Sequence, residues 1–80
     1  MEVTILAFGI AKDIVGERSL RLALGERASV QKLRDALEQR FPALREFASY
    51  AVAVNNEYAY PADSINDNDE IAIIPPVSGG

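Results

Sequence analysis

The chain has 80 residues, 49% of them apolar, which suffices for one small domain with a compact core. It contains no cysteine and no histidine, so disulfides, thiolate chemistry and the commonest general base are excluded, and an autonomous enzyme is hard to build. The net charge of −4 opposes binding to a nucleic-acid backbone. The start, Met1 to Phe8, has neither the positive charge of a signal peptide nor the length of a membrane span. We therefore expect a cytoplasmic protein without nucleic-acid or membrane partners.

The first predicted strand, Val3 to Phe8, is apolar on both faces. Such a strand lies centrally in a sheet, with one face under a helix and the other either buried or offered to a partner. The connection that follows contains a short helical segment, Ala11 to Val15, closed by Gly16. Arg18 to Leu24 then alternates apolar and polar residues, which predicts a half-buried strand paired with the first.

One long helix is predicted after Ser29, whose hydroxyl can cap the first turn. Val30, Leu33, Leu37 and Phe41 have the spacing of one helical face, and we expect that face to pack on the sheet. Pro42 disfavours helical geometry at the residue before it and so ends the helix.

Three further strands are predicted in the second half of the chain. Leu44 to Tyr50 is expected to be irregular or weakly helical, and Ala51 to Val54 reads as a strand. The Asn55-Asn56 pair suits a tight turn, from which Glu57 to Tyr60 returns. After a polar loop in which Asn68 can adopt a positive φ, Glu70 to Ile74 forms the last strand.

This order of elements predicts an α+β protein of the β-grasp, or ubiquitin-like, architecture. We expect a mixed sheet of four to five strands, one main helix, and the first and last strands parallel at its centre. The domain spans residues 1–75, and residues 76–80 form an extended tail.

The tail is the most informative segment. Pro75 and Pro76 cannot extend a sheet ladder, so the last strand stops there. The five residues that follow Pro75 span at most about 17 Å when extended. Gly79 and Gly80 lack side chains, which lets the backbone enter a narrow channel with its terminal carboxylate unhindered. An inert, loose chain end is the alternative interpretation.

In these features the sequence resembles the ubiquitin-like sulfur carriers, specifically the MoaD family, the small subunit of molybdopterin synthase. The resemblance covers essentially the whole chain and is most specific at its end. It is carried by Val3 to Phe8, Ala11 to Gly16, Ser29-Val30, Ala53 to Asn55, Glu57-Tyr58, Asn66 to Ala72, and Ile74 to Gly80.

The resemblance implies that Gly80 is the reactive residue. A MoeB-like enzyme would adenylate its carboxylate with ATP, a sulfur donor would convert the adenylate to a thiocarboxylate, and a MoaE-like large subunit would use that sulfur on a cyclic pterin precursor. The two subunits are expected to form a heterotetramer. This chain would supply sulfur rather than a catalytic pocket and would bind no cofactor or metal itself.

The resemblance also assigns a partner-binding role to several residues. These are Phe8, Lys12, Tyr58, Ile74, Pro76, Val77 and Ser78, with Gly79 beside the reactive Gly80. By alternation, Leu6, Phe8, Ala72 and Ile74 can merge with Tyr58 into one open apolar patch. Core packing is the alternative for the apolar residues, and simple solvation is the alternative for Lys12.

Two departures from the family pattern stand out. Asn68 replaces a frequent glycine but tolerates the same turn, whereas Ile74 replaces a frequent aromatic residue. The acidic residues near Asn68 lack the spacing of a calcium loop, so no metal site is expected there.

Other functions stay open at this point. A carrier of sulfur for thiazole synthesis would have the same chemistry and a different partner. A protein modifier would conjugate Gly80 to lysines. A plain interaction module would carry an inert tail.

Overall fold

The computed structural model describes residues 1–47 and 50–75. The predicted tail, Pro76 to Gly80, and residues 48–49 of the predicted irregular segment lie outside the described residues. Five strands form one mixed sheet in the order β2-β1-β5-β3-β4. The elements in chain order are β1 (Glu2–Ala7), α1 (Gly9–Val15), β2 (Ser19–Ala23), α2 (Val30–Arg40), a 3₁₀ helix (Pro42–Phe47), β3 (Ala51–Val54), β4 (Glu57–Tyr58) and β5 (Glu70–Ile74).

The central pair of strands is parallel, as predicted for the first and last strands. β1 pairs with β5 through Ile5 opposite Ile71 and Ala7 opposite Ile73. β1 also pairs antiparallel with β2, and β5 pairs antiparallel with β3. Ile5, Ile71 and Ile73 are completely buried, because this register places them on one face of the sheet.

Helix α2 covers that face. The Lys32 amide donates to the Ser29 hydroxyl at 3.2 Å, so Ser29 is the N-cap, as predicted. Leu33 and Leu37 are completely buried, and each buried leucine stabilises the fold by roughly 1.5–3 kcal/mol. The helix ends at Arg40, and Phe41 has a non-helical backbone just before Pro42. The predicted helix and both its ends are confirmed.

The turns use the residues that tolerate a left-handed backbone. Asn55, Asn56 and Asn68 have φ angles of 51°, 72° and 66°, as the tight turns require. Gly16 caps α1 with φ 88°, and its amide donates to the Lys12 carbonyl at 2.8 Å. Arg27 also has a positive φ of 59°, which the sequence does not predict.

Several elements differ in extent from the prediction, and β2 covers Ser19–Ala23 rather than Arg18 to Leu24. Helix α1 begins at Gly9 rather than Ala11, because the first strand stops one residue early and Phe8 becomes its extended N-cap. β4 ends at Tyr58 rather than Tyr60, since the backbone then turns to place Asp63 against the Tyr60 amide. In the ranges 1–47 and 50–75, no helix combines the length and apolarity needed to cross a bilayer.

Candidate functional site

The face of the sheet opposite α2 carries a row of small and apolar residues. Strand register aligns Leu6 with Ala72, Ala72 with Ala53, and Ala53 with Tyr58. Phe8 and Ile74 lie one step further toward the end at which the chain leaves the sheet. A groove of about 270 Å³, the sheet groove, is lined by Leu6, Phe8, Ala53, Asn56, Tyr58, Glu70, Ala72 and Ile74. The structure thus brings the predicted apolar patch together.

Exposure distinguishes these residues from the core. Phe8 is 51% exposed and Tyr58 is 75% exposed, while Ile74 is half-buried. The alternative interpretation of Phe8 and Tyr58 as core residues is therefore wrong. An apolar patch of this kind, flanked by polar residues, is typical of a surface that binds another protein.

The chain leaves the fold beside this groove. Pro75 follows β5, and a β-carbon at Gly9 would lie 3.4 Å from its Cγ. Gly9 adopts φ 55°, so the backbone approaches Pro75 closely in a conformation that other residues rarely adopt. The predicted tail residues Pro76, Val77, Ser78, Gly79 and Gly80 lie outside the described residues.

A second groove lies on the other side of Phe8. This basic groove, of about 400 Å³, is lined by Leu6, Ala7, Phe8, Gly9, Lys12, Arg18 and Ser19. The structure places Lys12, exposed on α1, at this groove. Arg18 joins it because the Ala7 amide donates to the Arg18 carbonyl at 2.9 Å, which holds the start of β2 beside the end of β1. Arg18 was not among the predicted site residues, since no local pattern separates it from other surface arginines.

Polar residues at the far end of the sheet groove were missed as well. Asn56 was assigned only a turn, and Glu70 only a place in a strand. The pairing of β3 with both β4 and β5 brings them to the groove. Only the alternation of Glu70 with Ala72 and Ile74 would have indicated that these three residues share one face of the sheet.

A partly buried polar network lies outside these grooves. The Tyr50 hydroxyl donates to the Glu38 carboxylate at 2.7 Å, and the Arg34 guanidinium lies over the tyrosine ring. Burial, together with the hydrogen bond to Glu38, raises the pKa of Tyr50 to about 12. Tyr50 therefore stays neutral and joins β3 to α2, which makes it a structural residue.

The carboxylates of the loops around Asn68 lie in the part of the chain that the structure describes. There, no group of three or more aspartate or glutamate side chains is placed to hold an ion. The carboxylates of Asp63 and Asp69 instead accept backbone hydrogen bonds, from Tyr60 and Asn66, each at 2.8 Å.

Comparison with known proteins connects this geometry to a family. The ThiS family model matches residues 5–80. The molybdopterin synthase sulfur carrier subunit of Arabidopsis thaliana is 38% identical over 81 residues, which cover 100% of this chain and 84% of that protein. The crystal structure of SAMP1 from Haloferax volcanii has a TM-score of 0.86 and 30% identity, and the match covers 100% of both chains.

A further solved structure contains two subunits. It is the complex of subunits 1 and 2 of the molybdopterin-converting factor from Helicobacter pylori, with a TM-score of 0.69, 27% identity and 100% coverage of both chains. These likenesses confirm the predicted β-grasp fold. The chain belongs to the ThiS family and, within it, groups with the molybdopterin synthase sulfur carrier subunits.

Proposed function

We propose that this chain carries sulfur on its C-terminus for molybdopterin synthesis, with Gly80 as the reactive residue. The main support for the proposal is the position of Pro75, where the chain leaves the sheet. Pro75 lies against Gly9, next to Phe8 and between the two grooves, and the sequence continues from there to Gly79-Gly80. A partner that binds the grooves would therefore receive the tail directly.

The chemistry needs an activating partner because a carboxylate oxygen is a poor leaving group. An adenylating enzyme of the MoeB type would join the Gly80 carboxylate to AMP, releasing pyrophosphate from ATP. A sulfur donor would then displace AMP and leave a thiocarboxylate. The ATP, the nucleotide site and the sulfur donor all belong to partners, so this chain needs no cysteine or histidine.

The second partner is a large subunit that uses the sulfur. The Helicobacter pylori relative occurs in a complex of two subunits, which supports the same pairing here. Phe8, Tyr58 and Ile74 would form the apolar contact through the sheet groove. Lys12 would pair with a carboxylate of the large subunit near the tail, and Pro76 to Ser78 would line the entry to its active site. Two copies of each subunit would form a heterotetramer, in which the large subunit supplies the pocket for the cyclic pterin precursor.

Intact-mass measurement tests both the chemistry and the partner. The chain is incubated with the adenylating enzyme, ATP and a sulfur donor, and we expect the mass change of one sulfur-for-oxygen exchange. A matched variant with one alanine appended after Gly80 should show no exchange, since its terminal carboxylate is displaced by one residue. Pterin sulfuration by the large subunit should follow the same pattern. Full sulfuration with the extended variant would refute the proposed role of Gly80.

A protein modifier is the second candidate, favoured by the likeness to SAMP1, whose homologue is described as a small archaeal modifier protein. In that case Gly80 would form isopeptide bonds with lysines of other proteins. Immunoblots of cells expressing the tagged chain would show a ladder of conjugates that disappears when Gly80 is deleted. Thiazole synthesis, the other alternative, would be identified by copurification of a thiazole synthase in place of a pterin-binding subunit.

A further inference from the structure

Charge is distributed unevenly along this chain. All lysines and arginines lie between Lys12 and Arg45, and none follows. The chain after Arg45 carries carboxylates alone, at Glu46, Glu57, Asp63, Asp67, Asp69 and Glu70. The fold gathers most of them around the β3–β4 turn and the loop that leads into β5. This end of the molecule is therefore strongly anionic.

Three of these carboxylates line one groove. This acidic groove, of about 510 Å³, is lined by Val54, Asn55, Glu57, Tyr58, Ala59, Asp63, Ser64, Asn66 and Asp69. No lysine or arginine is among these residues. Tyr58 lines the sheet groove as well, so the two grooves share a wall and form one continuous surface.

Hydrogen bonds hold the acidic groove in a fixed shape. The Asn55 amide side chain donates to Asp69 at 3.0 Å, and the Glu70 backbone amide donates to the Asn55 side-chain oxygen at 3.0 Å. The Asn55 backbone amide donates in turn to the Glu70 carbonyl at 2.8 Å. The β3–β4 turn is thereby fixed to the start of β5.

The carboxylates differ in what they do for the fold. Asp63 and Asp69 accept the backbone hydrogen bonds that close their turns, and Asp67 accepts one from the Glu2 amide at 2.8 Å. Glu57 and Glu70 are exposed, and within the described ranges their side chains take part in no hydrogen bond or ion pair. The fold itself does not require these two charges.

Among the described residues, no cation on the same face of the sheet forms an ion pair with Glu57 or Glu70. Thr4 on β1 pairs with Arg21 on β2 and with Glu70 on β5, so Arg21 is the cation nearest to Glu70 in the strand register. The Arg21 guanidinium, however, binds the Glu2 carboxylate at 3.1 Å and the Thr4 hydroxyl at 3.1 Å. The cations Lys12 and Arg18 lie at the opposite end, in the basic groove beyond Phe8. The apolar surface between Phe8 and Tyr58 thus has two cations beside its tail end and carboxylates at its other end.

We propose that the acidic groove, together with Glu70 of the adjoining sheet groove, binds an arginine-bearing segment of the large subunit that docks on the sheet groove. This inference rests on the proposed function. Tyr58 is 75% exposed at the shared wall, and its ring offers a face on which a guanidinium can stack. A planar guanidinium can stack on the ring and donate to a neighbouring carboxylate at the same time, which an ammonium group does less well. The two charged ends would fix the direction in which the partner docks, so that its active site meets the tail.

Association kinetics test this contact. The carrier with Glu57→Gln and Glu70→Gln is compared with the wild type for binding to the purified large subunit over a range of salt concentrations. The matched control carries Glu26→Gln and Glu46→Gln, which change the net charge equally at exposed positions outside all three grooves. All four glutamates are exposed and the replacements keep their shape, so the fold should be retained, as circular dichroism would verify.

We expect the Glu57/Glu70 variant to associate about three- to tenfold more slowly at low salt, with a weaker salt dependence. The control should behave as the wild type. Equal association of both variants would overturn the acidic contact, since the effect would then be absent or due to net charge alone. If the wild-type chain itself failed to bind the large subunit, the proposed function would be refuted, and this inference with it.

Discussion

Replacing Phe8 with alanine tests the sheet groove as a binding surface. Full burial of a phenylalanine side chain is worth roughly 1.5–3 kcal/mol. Phe8 is 51% exposed in the free chain, so a partner that covers it gains about half of that value. Phe8→Ala should therefore weaken binding by about 0.8–1.5 kcal/mol, or about four- to twelvefold in Kd. The free energy of unfolding should change less than for a core residue, because half of the side chain is already in water.

Titration calorimetry with the purified large subunit measures the change in Kd. Tyr60→Ala is the matched control, since Tyr60 is 76% exposed and does not line the sheet groove. Urea denaturation of both variants separates a loss of binding from a loss of folding. An unchanged Kd for Phe8→Ala, or an equal loss for Tyr60→Ala, would refute the assignment of this groove to partner binding.

Three further predictions concern the fold. Leu33→Ala leaves a cavity at a completely buried site and should lower the free energy of unfolding by about 2–5 kcal/mol in urea, where a loss below 1 kcal/mol would contradict the packing of α2. Tyr50→Phe removes the 2.7 Å hydrogen bond to Glu38 at a cost of about 1 kcal/mol near neutral pH. Because the folded-state pKa of Tyr50 lies at about 12, above the ordinary tyrosine value of 10.0, the wild type should lose stability as the pH rises through that interval. Urea titrations should find this loss smaller in the variant, and equal slopes in both proteins would show that Tyr50 is not its source. Asn68→Ala forces alanine into φ 66° and should lower Tm by roughly 4–8 °C, whereas Asn68→Gly should be nearly neutral; equal melting of both would contradict the turn assignment.

Local patterns predicted the elements of this fold well. The alternation in β1 and β2, the capping serine at position 29 and Pro42 each act within a few residues, so they can be read without knowing the rest of the structure. The asparagines of the turns have the same property. The boundary that was wrong at Gly9 lies beside Pro75, which belongs to a distant segment. The boundary that was wrong at Tyr60 lies at a local turn, in which Asp63 accepts a hydrogen bond from the Tyr60 amide and which the alternation of apolar residues does not reveal.

The sequence by itself determined the strands, the helix, the turns and the Gly79-Gly80 end, because each depends on the conformational preferences of neighbouring residues. It also placed Phe8, Tyr58 and Ile74 as candidates through alternation and family resemblance. Only the tertiary structure decided that Arg18 joins Lys12, that Glu70 lies near Tyr58, and that Pro75 packs beside Gly9. These arrangements depend on the register of strands far apart in the chain, which the buried face fixes and which local preferences do not specify.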